Sequence, residues 1–371
     1  MLKPLHLSHS CRHGDGGIAF AVSDLLRAQQ RVGIYARWLT ADQFRPFLRD
    51  RQLYQSILDC QPNILHFHGL WRSHTRISHR LIASNFPTLI APHGMMDDWA
   101  MAHSSWKKEL VWHLWEKRAL HNAVCLHAVC EAEAEAIRAR LPGVPVAIIP
   151  NGVASNFDQS LNISVNSPWS NSIPSGHKIL LFFGRFHQKK GLEPLISAWQ
   201  SVLDQAKSKS WWLVCVGFGD DGKFQSQLEN YPVEQCSVLG PLFGDDKVSA
   251  FLNASAFILP SFSEGLPIAA LEAMSYGLPC LLSSACNLPE AYHHNAAFLA
   301  EPDTTQLISS LSSLFSTSDH DLALMGESGR RLVQEKFDWS TIARKTQDVY
   351  QWMLGISDSP ECVILPTSGQ L

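Results

Sequence analysis

No paired-cysteine framework runs through these 371 residues: the nine Cys are an odd number and include no C-x-x-C pair. That excludes the usual zinc ribbon and the disulfide scaffold, and a reducing cytoplasm is the simpler setting. Long apolar runs are also missing. No segment reaches the ~20 apolar residues of a membrane span, and the N-terminal MLKPLHLSHSCRHGDGG lacks the apolar stretch of a secretory signal. Nor is there a dense basic stripe, which counts against a nucleic-acid binder. Charged residues are 17% and apolar ones 46%, the balance of a soluble globular protein. The halves differ, with 17 Lys/Arg against 13 Asp/Glu in residues 1–172 and 13 against 21 in the rest. Twelve of the 17 His lie in the first half.

The length suits two domains. In each half short apolar runs alternate with amphipathic stretches, the pattern of a parallel sheet covered by helices. Strands are expected at Leu5–Ser8, Gly33–Leu39, Ile64–His68, Thr88–Ala91, Val124–Val129 and Val146–Ile149. In the second half they are expected at Lys178–Phe183, Trp211–Val216, Ser237–Leu239, Ala256–Leu259, Pro279–Ser283 and Ala297–Leu299. Helices are expected over Ile18–Gln30, Trp106–Leu120, Val248–Asn253, Pro267–Tyr276 and Trp339–Leu354. The Ser/Asn-rich run Ser155–Gly176 reads as a linker. The expected domains are therefore 1–160 and 177–337, with a linker at 161–176. A C-terminal helix at 338–355 is placed to pack back on the first domain, and 356–371 reads as a frayed tail. Ligands of open α/β sheets sit outside the carboxyl ends of the strands, so both sheets are expected to face a cleft.

Four strings carry chemistry. In Ser261–Gly277, SFSEGLPIAALEAMSYG, a strand runs into a turn and Pro267 stands at the first helical position. Free amides at the helix mouth favour an anion. Glu264 before the helix and Glu272 in its second turn are good acceptors for sugar or ribose hydroxyls, although either alone reads as a cap or a solvated face. In Phe182–Leu192, FFGRFHQKKGL, Gly184 is expected to turn the chain sharply at a strand end, with Arg185 projecting and Lys189 and Lys190 following. Arg forks and Lys point charges suit a diphosphate; a solvated basic loop is the plainer alternative. In VCVGFGD, Gly217 and Gly219 offer a floor that a nucleotide can approach, without the third Gly of a dinucleotide fingerprint. In the first half, GDGGI closes a strand–turn–helix joint, which reads either as bare amides that a ligand can approach or as a plain tight turn, and APHGM puts His93 at a strand's carboxyl end. His66 and His68, in HFHG, have no acidic partners at metal-ligand spacing and read as hydrogen-bonded core or rim imidazoles.

Taken together, these strings resemble bacterial family-4 glycosyltransferases, retaining enzymes of GT-B fold, of the branch that builds exopolysaccharide and capsule. The resemblance runs from GGI through APHGMMDDWA, IPNGV, FFGRFHQKKGL and LGPLFG to PSFSEGLPIAALEAMSYGLP, whose E-x7-E element is the most specific. It implies two Rossmann-like parallel-sheet domains and transfer of a hexose from a UDP- or GDP-linked sugar to a glycan or lipid-linked acceptor. Arg185 and Lys190 would hold the diphosphate, Glu272 the ribose hydroxyls and Glu264 the donor sugar. Backbone at Gly184, Gly217, Gly219, Gly265, Leu266 and Ile268 would complete the donor cradle, and the Gly240–Leu242 turn would line the base. Gly16 and Gly17 would face the diphosphate or acceptor, with His93 beside the transferring sugar. One departure is Ala297, where the family usually has Gly.

Fixed cations and a helix mouth aimed at a departing diphosphate stabilise the transition state without a metal or cofactor, and no D-x-D pair stands in a plausible loop. Two other readings stay open: a nucleotide-sugar epimerase or hydrolase, which would need more carboxylates, and a non-catalytic glycan-binding protein. Ser105–Leu120, SWKKELVWHLWEKRAL, mixes Trp with Lys and Arg. It reads either as a peripheral contact with the cytoplasmic membrane face or as an ordinary helix whose Trp are core.

Overall fold

The computed structural model describes residues 2–12, 17–83, 86–97, 101, 105–154, 166–219, 222–230 and 232–366. Two compact units emerge: residues Met1–Gly152 with Trp339–Leu371, and residues Val153–Asp338.

The first unit holds strands β1 (Pro4–Ser8), β2 (Arg37–Thr40), β3 (Ile64–His68), β4 (Thr88–Ala91), β5 (Cys125–Ala128) and β6 (Val146–Ile148). They pair in parallel in the order β6-β5-β4-β3-β1-β2. Period-two alternation splits each strand between two faces. Leu5, Leu7, Leu65, Phe67, Ile90 and Leu126 belong to one core, while Ile64, Leu89, Cys125 and Ala147 belong to another. The second core is closed by the helices Gly17–Arg31 and Trp339–Met353, which bury Leu25, Ala28, Ile342, Val349 and Tyr350.

The frayed tail expected at 356–371 is corrected in part. Val363–Ile364 forms a short antiparallel strand on β6, because Val363 has an apolar sheet edge to cover.

The second unit holds β7 (Lys178–Phe183), β8 (Trp211–Val216), β9 (Cys236–Leu239), β10 (Ala256–Leu259), β11 (Cys280–Leu282) and β12 (Ala297–Leu299), in the order β12-β11-β10-β7-β8-β9. All pairs are parallel and nearly all of β7, β8 and β10 is buried, as expected of a sheet covered on both faces. The linker reading of 161–176 also needs correction. Residues 161–165 lie outside the described residues, but Trp169 and Ile173 are buried in this unit's core. Two large apolar side chains in a polar run are enough to anchor it.

In both sheets the strand order reverses once, between β1 and β3 in the first and between β7 and β10 in the second. The crevice beyond the carboxyl ends at such a reversal is where open α/β sheets bind ligands.

Candidate functional site

At the reversal of the second sheet, the loops after β7 and β10 lie side by side. The Phe262 amide donates to the Lys189 carbonyl at 2.7 Å. Gly191 is needed for this approach: its φ is +69°, and a Cβ there would lie 1.9 Å from the Pro260 oxygen. This contact delivers the Lys190 ammonium to Glu264, Nζ to Oε1 2.5 Å, and Ser261 Oγ donates to the same oxygen at 2.6 Å. Glu264 is buried. Its backbone is pinned on both sides, the amide donating to Ala285 O at 3.0 Å and the carbonyl accepting from Asn287 Nδ2 at 2.6 Å.

The helix that follows spans Ile268–Ser275, with Pro267 as its N-cap rather than its first residue. The Pro267 carbonyl accepts from the amides of Ala270 and Leu271. The amides of Gly265, Leu266 and Ile268 precede these bonds at the helix mouth, where the dipole favours an anion. Glu272, one turn in, accepts from Lys247 Nζ at 2.6 Å, and that ammonium also lies 5.8 Å from the Phe183 ring centroid at the end of β7. Arg185 is exposed immediately beyond β7, with no carboxylate paired to it among the described residues. Ser261, Asn287 and Lys247 also belong to this site, although the motifs in the sequence assign them no role. Lys247 sits in the helix Gly244–Leu252 behind Asp245 and Asp246, and nothing local distinguishes it from a solvated lysine.

Two glycine expectations need revision. Gly184 does not adopt a left-handed backbone, and a Cβ there would make only ordinary contact with the Phe182 ring, so no sharp turn depends on it. Gly217 and Gly219 are explained by the loop lying across them: a Cβ on Gly217 would sit 1.8 Å from the Gly184 oxygen, and one on Gly219 2.7 Å from the Phe186 oxygen. Gly240 is exposed with open space at its Cβ position, and Leu242 packs against the core.

In the first unit, Gly17 opens its helix, exposed and uncrowded, while Gly16 lies outside the described residues. His93 follows β4 at φ +55°, a left-handed conformation uncommon for a residue other than glycine. The turn is held by Glu133, which accepts from the Gly94 amide at 2.6 Å and the Val129 amide at 2.7 Å. Burial pushes the Glu133 carboxyl up to about 7 against the pull of those amides. His93 Nε2 lies 3.0 Å from His68 Nδ1, and burial lowers the His93 pKa to about 3. His66 and His68 are interior imidazoles, and His6 and His127 join them in one cluster.

Two units, each built on a parallel sheet of Rossmann type, are the architecture of the GT-B fold. Solved structures agree on the fold. Sucrose-phosphate synthase of Thermosynechococcus elongatus superposes with TM-score 0.78 at 18% identity, over 96% of this chain and 100% of that one. Anabaena HepE in complex with UDP-glucose gives 0.69 at 15%, over 95% and 100%.

Residues 9–157 match glycosyltransferase family 4, and residues 165–332 match the glycosyl transferases group 1. The chain belongs to the family-4 glycosyltransferases. It is 27% identical over 225 residues to an uncharacterised glycosyltransferase of Methanocaldococcus jannaschii, covering 57% of this chain and 55% of that protein. It is 25% identical over 181 residues to the amylovoran biosynthesis glycosyltransferase AmsK of Erwinia amylovora, covering 46% and 44%. These alignments thus span about half the length of each relative.

Proposed function

We propose that this protein is a retaining, metal-independent hexosyltransferase. It would take sugar from a UDP- or GDP-linked donor and pass it to a glycan or lipid-linked oligosaccharide in polysaccharide biosynthesis. The observation that carries this reading is the meeting, at the strand-order reversal of the second sheet, of two Lys–Glu pairs, an exposed guanidinium and a helix mouth. Departure of a nucleoside diphosphate concentrates negative charge on its terminal phosphate. Arg185, Lys190 and the amides of Gly265, Leu266 and Ile268 would stabilise that charge more in the transition state than in the bound donor. Glu264 and Glu272 would accept hydroxyls of sugar and ribose, with Lys190 and Lys247 holding both carboxylates in place. The UDP-glucose bound to HepE and the polysaccharide role in AmsK's name support this donor class and setting.

A thermal-shift panel of UDP-, GDP- and ADP-sugars selects the donor, because a specific ligand raises the melting temperature by mass action. With the donor so identified, Arg185→Ala and Glu272→Ala should each lower kcat/KM by about 100-fold or more with the melting temperature of the free protein nearly unchanged. Wild-type activity in either would overturn the site. The anomeric configuration of the product, read by NMR, tests retention, and full activity in EDTA tests metal independence.

No helix among the described residues is long and apolar enough to cross a membrane. Peripheral contact is part of the proposal. The expected Trp106–Leu120 helix runs from Ser105 to His121 and widens to π-helix over Trp112–Glu116. Trp106 is 70% exposed, with Leu110 and Leu114 exposed at successive four-residue steps and Lys107 beside Trp106. Co-sedimentation with anionic vesicles should fall several-fold in Trp106→Ser/Leu110→Ser; undiminished binding would exclude this face.

A further inference from the structure

Ile64, His66 and His68 share one face of β3, and His6 stands in register with His66 on β1. With His127 on β5 they lie on the sheet face covered by the helices Gly17–Arg31 and Trp339–Met353, which supply Gln29 and Tyr350. Ring nitrogens of His6, His66 and His68 lie within 4.8 Å of one another, a spacing that would admit a metal ion. Every one of those nitrogens, however, already has a hydrogen-bond partner, and the partners form a single unbranched chain.

The donor–acceptor sense of that chain is set from one end. The Ile149 carbonyl can only accept, so His127 Nε2, 2.7 Å away, carries the proton. In a neutral ring its Nδ1 then accepts, so the proton between it and His66 Nε2, 3.1 Å apart, belongs to His66. His66 Nδ1 must accept in turn, so the Tyr350 hydroxyl donates to it at 2.8 Å. That hydroxyl has no proton left for Gln29 and accepts from its Nε2 at 3.3 Å, which settles the amide orientation as well. Gln29 Oε1 then accepts from His6 Nε2 at 2.8 Å, His6 Nδ1 from His68 Nε2 at 2.8 Å, and His68 Nδ1 from His93 Nε2 at 3.0 Å. Burial lowers the basicity of all five imidazoles, so the neutral count applies throughout.

We infer that the Ile149 carbonyl, acting through His127, His66, Tyr350, Gln29, His6 and His68, locks His93 as its Nε2–H tautomer, so that Nδ1 presents a lone pair to a ligand hydroxyl. The six side chains between are positioning residues: they decide that His93 accepts rather than donates. The tautomers follow from the fold alone. That the hydroxyl belongs to a carbohydrate rests on the proposed function.

Long-range 1H–15N correlation of the imidazoles in 15N-labelled protein at pH 7.5 tests the lock directly. All five rings should be Nε2–H tautomers; an Nδ1–H form at His68 or His93, or a metal-shifted ring at His6, His66 or His68, would overturn it. Tyr350→Phe removes the hydroxyl that holds the Gln29 amide, leaving Gln29 free to turn its NH2 toward His6. His127 should keep its tautomer while His6, His68 and His93 become mixtures, a split that a purely structural role would not produce. An unchanged His93 in this variant would overturn the coupling. With the donor identified, Tyr350→Phe should also lower kcat/KM about tenfold. If the tautomers shift as stated but kcat/KM does not, the link from His93 to the ligand fails and the proposed function stands. If the tautomers hold in a wild-type protein that transfers no sugar, the proposed function fails and the lock stands.

Discussion

At the scale of single residues, the glycines of the second unit separate packing from ligand approach. Gly217 faces the Gly184 oxygen at a distance no Cβ tolerates, whereas Gly240 faces open space. Gly217→Ala must push two backbones apart, and should cost at least about 2 kcal/mol, seen as a melting temperature about 5 °C lower. Gly240→Ala has no such neighbour, so its melting temperature should match the wild type. If the Gly240–Leu242 turn lines a nucleotide base, as the family resemblance implies, the same methyl should still weaken donor binding in calorimetry. Both glycines stand just after a strand and look equivalent in the sequence. The difference lies in which loop crosses them, which is a long-range fact.

Elements were legible where one strand or helix carries its own pattern. Lys178–Phe183, Trp211–Val216 and Ala256–Leu259 are continuous apolar runs because both faces of a parallel sheet are covered, and their bounds follow from sequence alone. The residues of the candidate site that lie in these strand-end strings were legible for the same reason. Partners brought by a distant segment were not: Lys247 for Glu272, Asn287 for the Glu264 backbone, Glu133 for the His93 turn. The C-terminal helix is the largest case. Trp339 lies so close over Gly152 that a Cβ there would be 2.5 Å from the indole, and the helix closes the second core of the first unit. Trp339→Ala should therefore destabilise that unit by about 3–5 kcal/mol, read from hydrogen exchange in residues 2–152. Protection in residues 178–316 should stay near wild type; a loss shared equally by both regions would refute this division.

For the whole molecule, the uneven placement of histidine predicts an ordered acid transition. The first unit buries or half-buries His6, His66, His68, His74, His93 and His127, and burial lowers the pKa of each below 6.5, to about 4 for His6, His74 and His127. A depressed histidine contributes stability above its unfolded pKa and loses it as pH falls from 6.5 through the folded value, because the unfolded chain takes the proton first. Glu116 and Glu133 run the other way: raised to about 7 by burial, their contribution is greatest below pH 4.5 and lost as pH rises through 7. Each group changes stability by at most about 1.4 kcal/mol per pH unit, so six histidines outweigh two carboxylates between pH 6.5 and 4.5. His177, His187, His293, His294 and His320 of the second unit are exposed or half-buried, so none of them belongs to a buried cluster of this kind. Acidification from pH 7 to 4.5 should thus unfold the first unit while the second keeps its structure. Pulsed hydrogen exchange across that range should show protection vanishing first in β1, β3 and β5, with more than one proton taken up. Simultaneous loss in both units, or loss in β7, β8 and β10 first, would mean that the imidazole cluster does not govern acid stability.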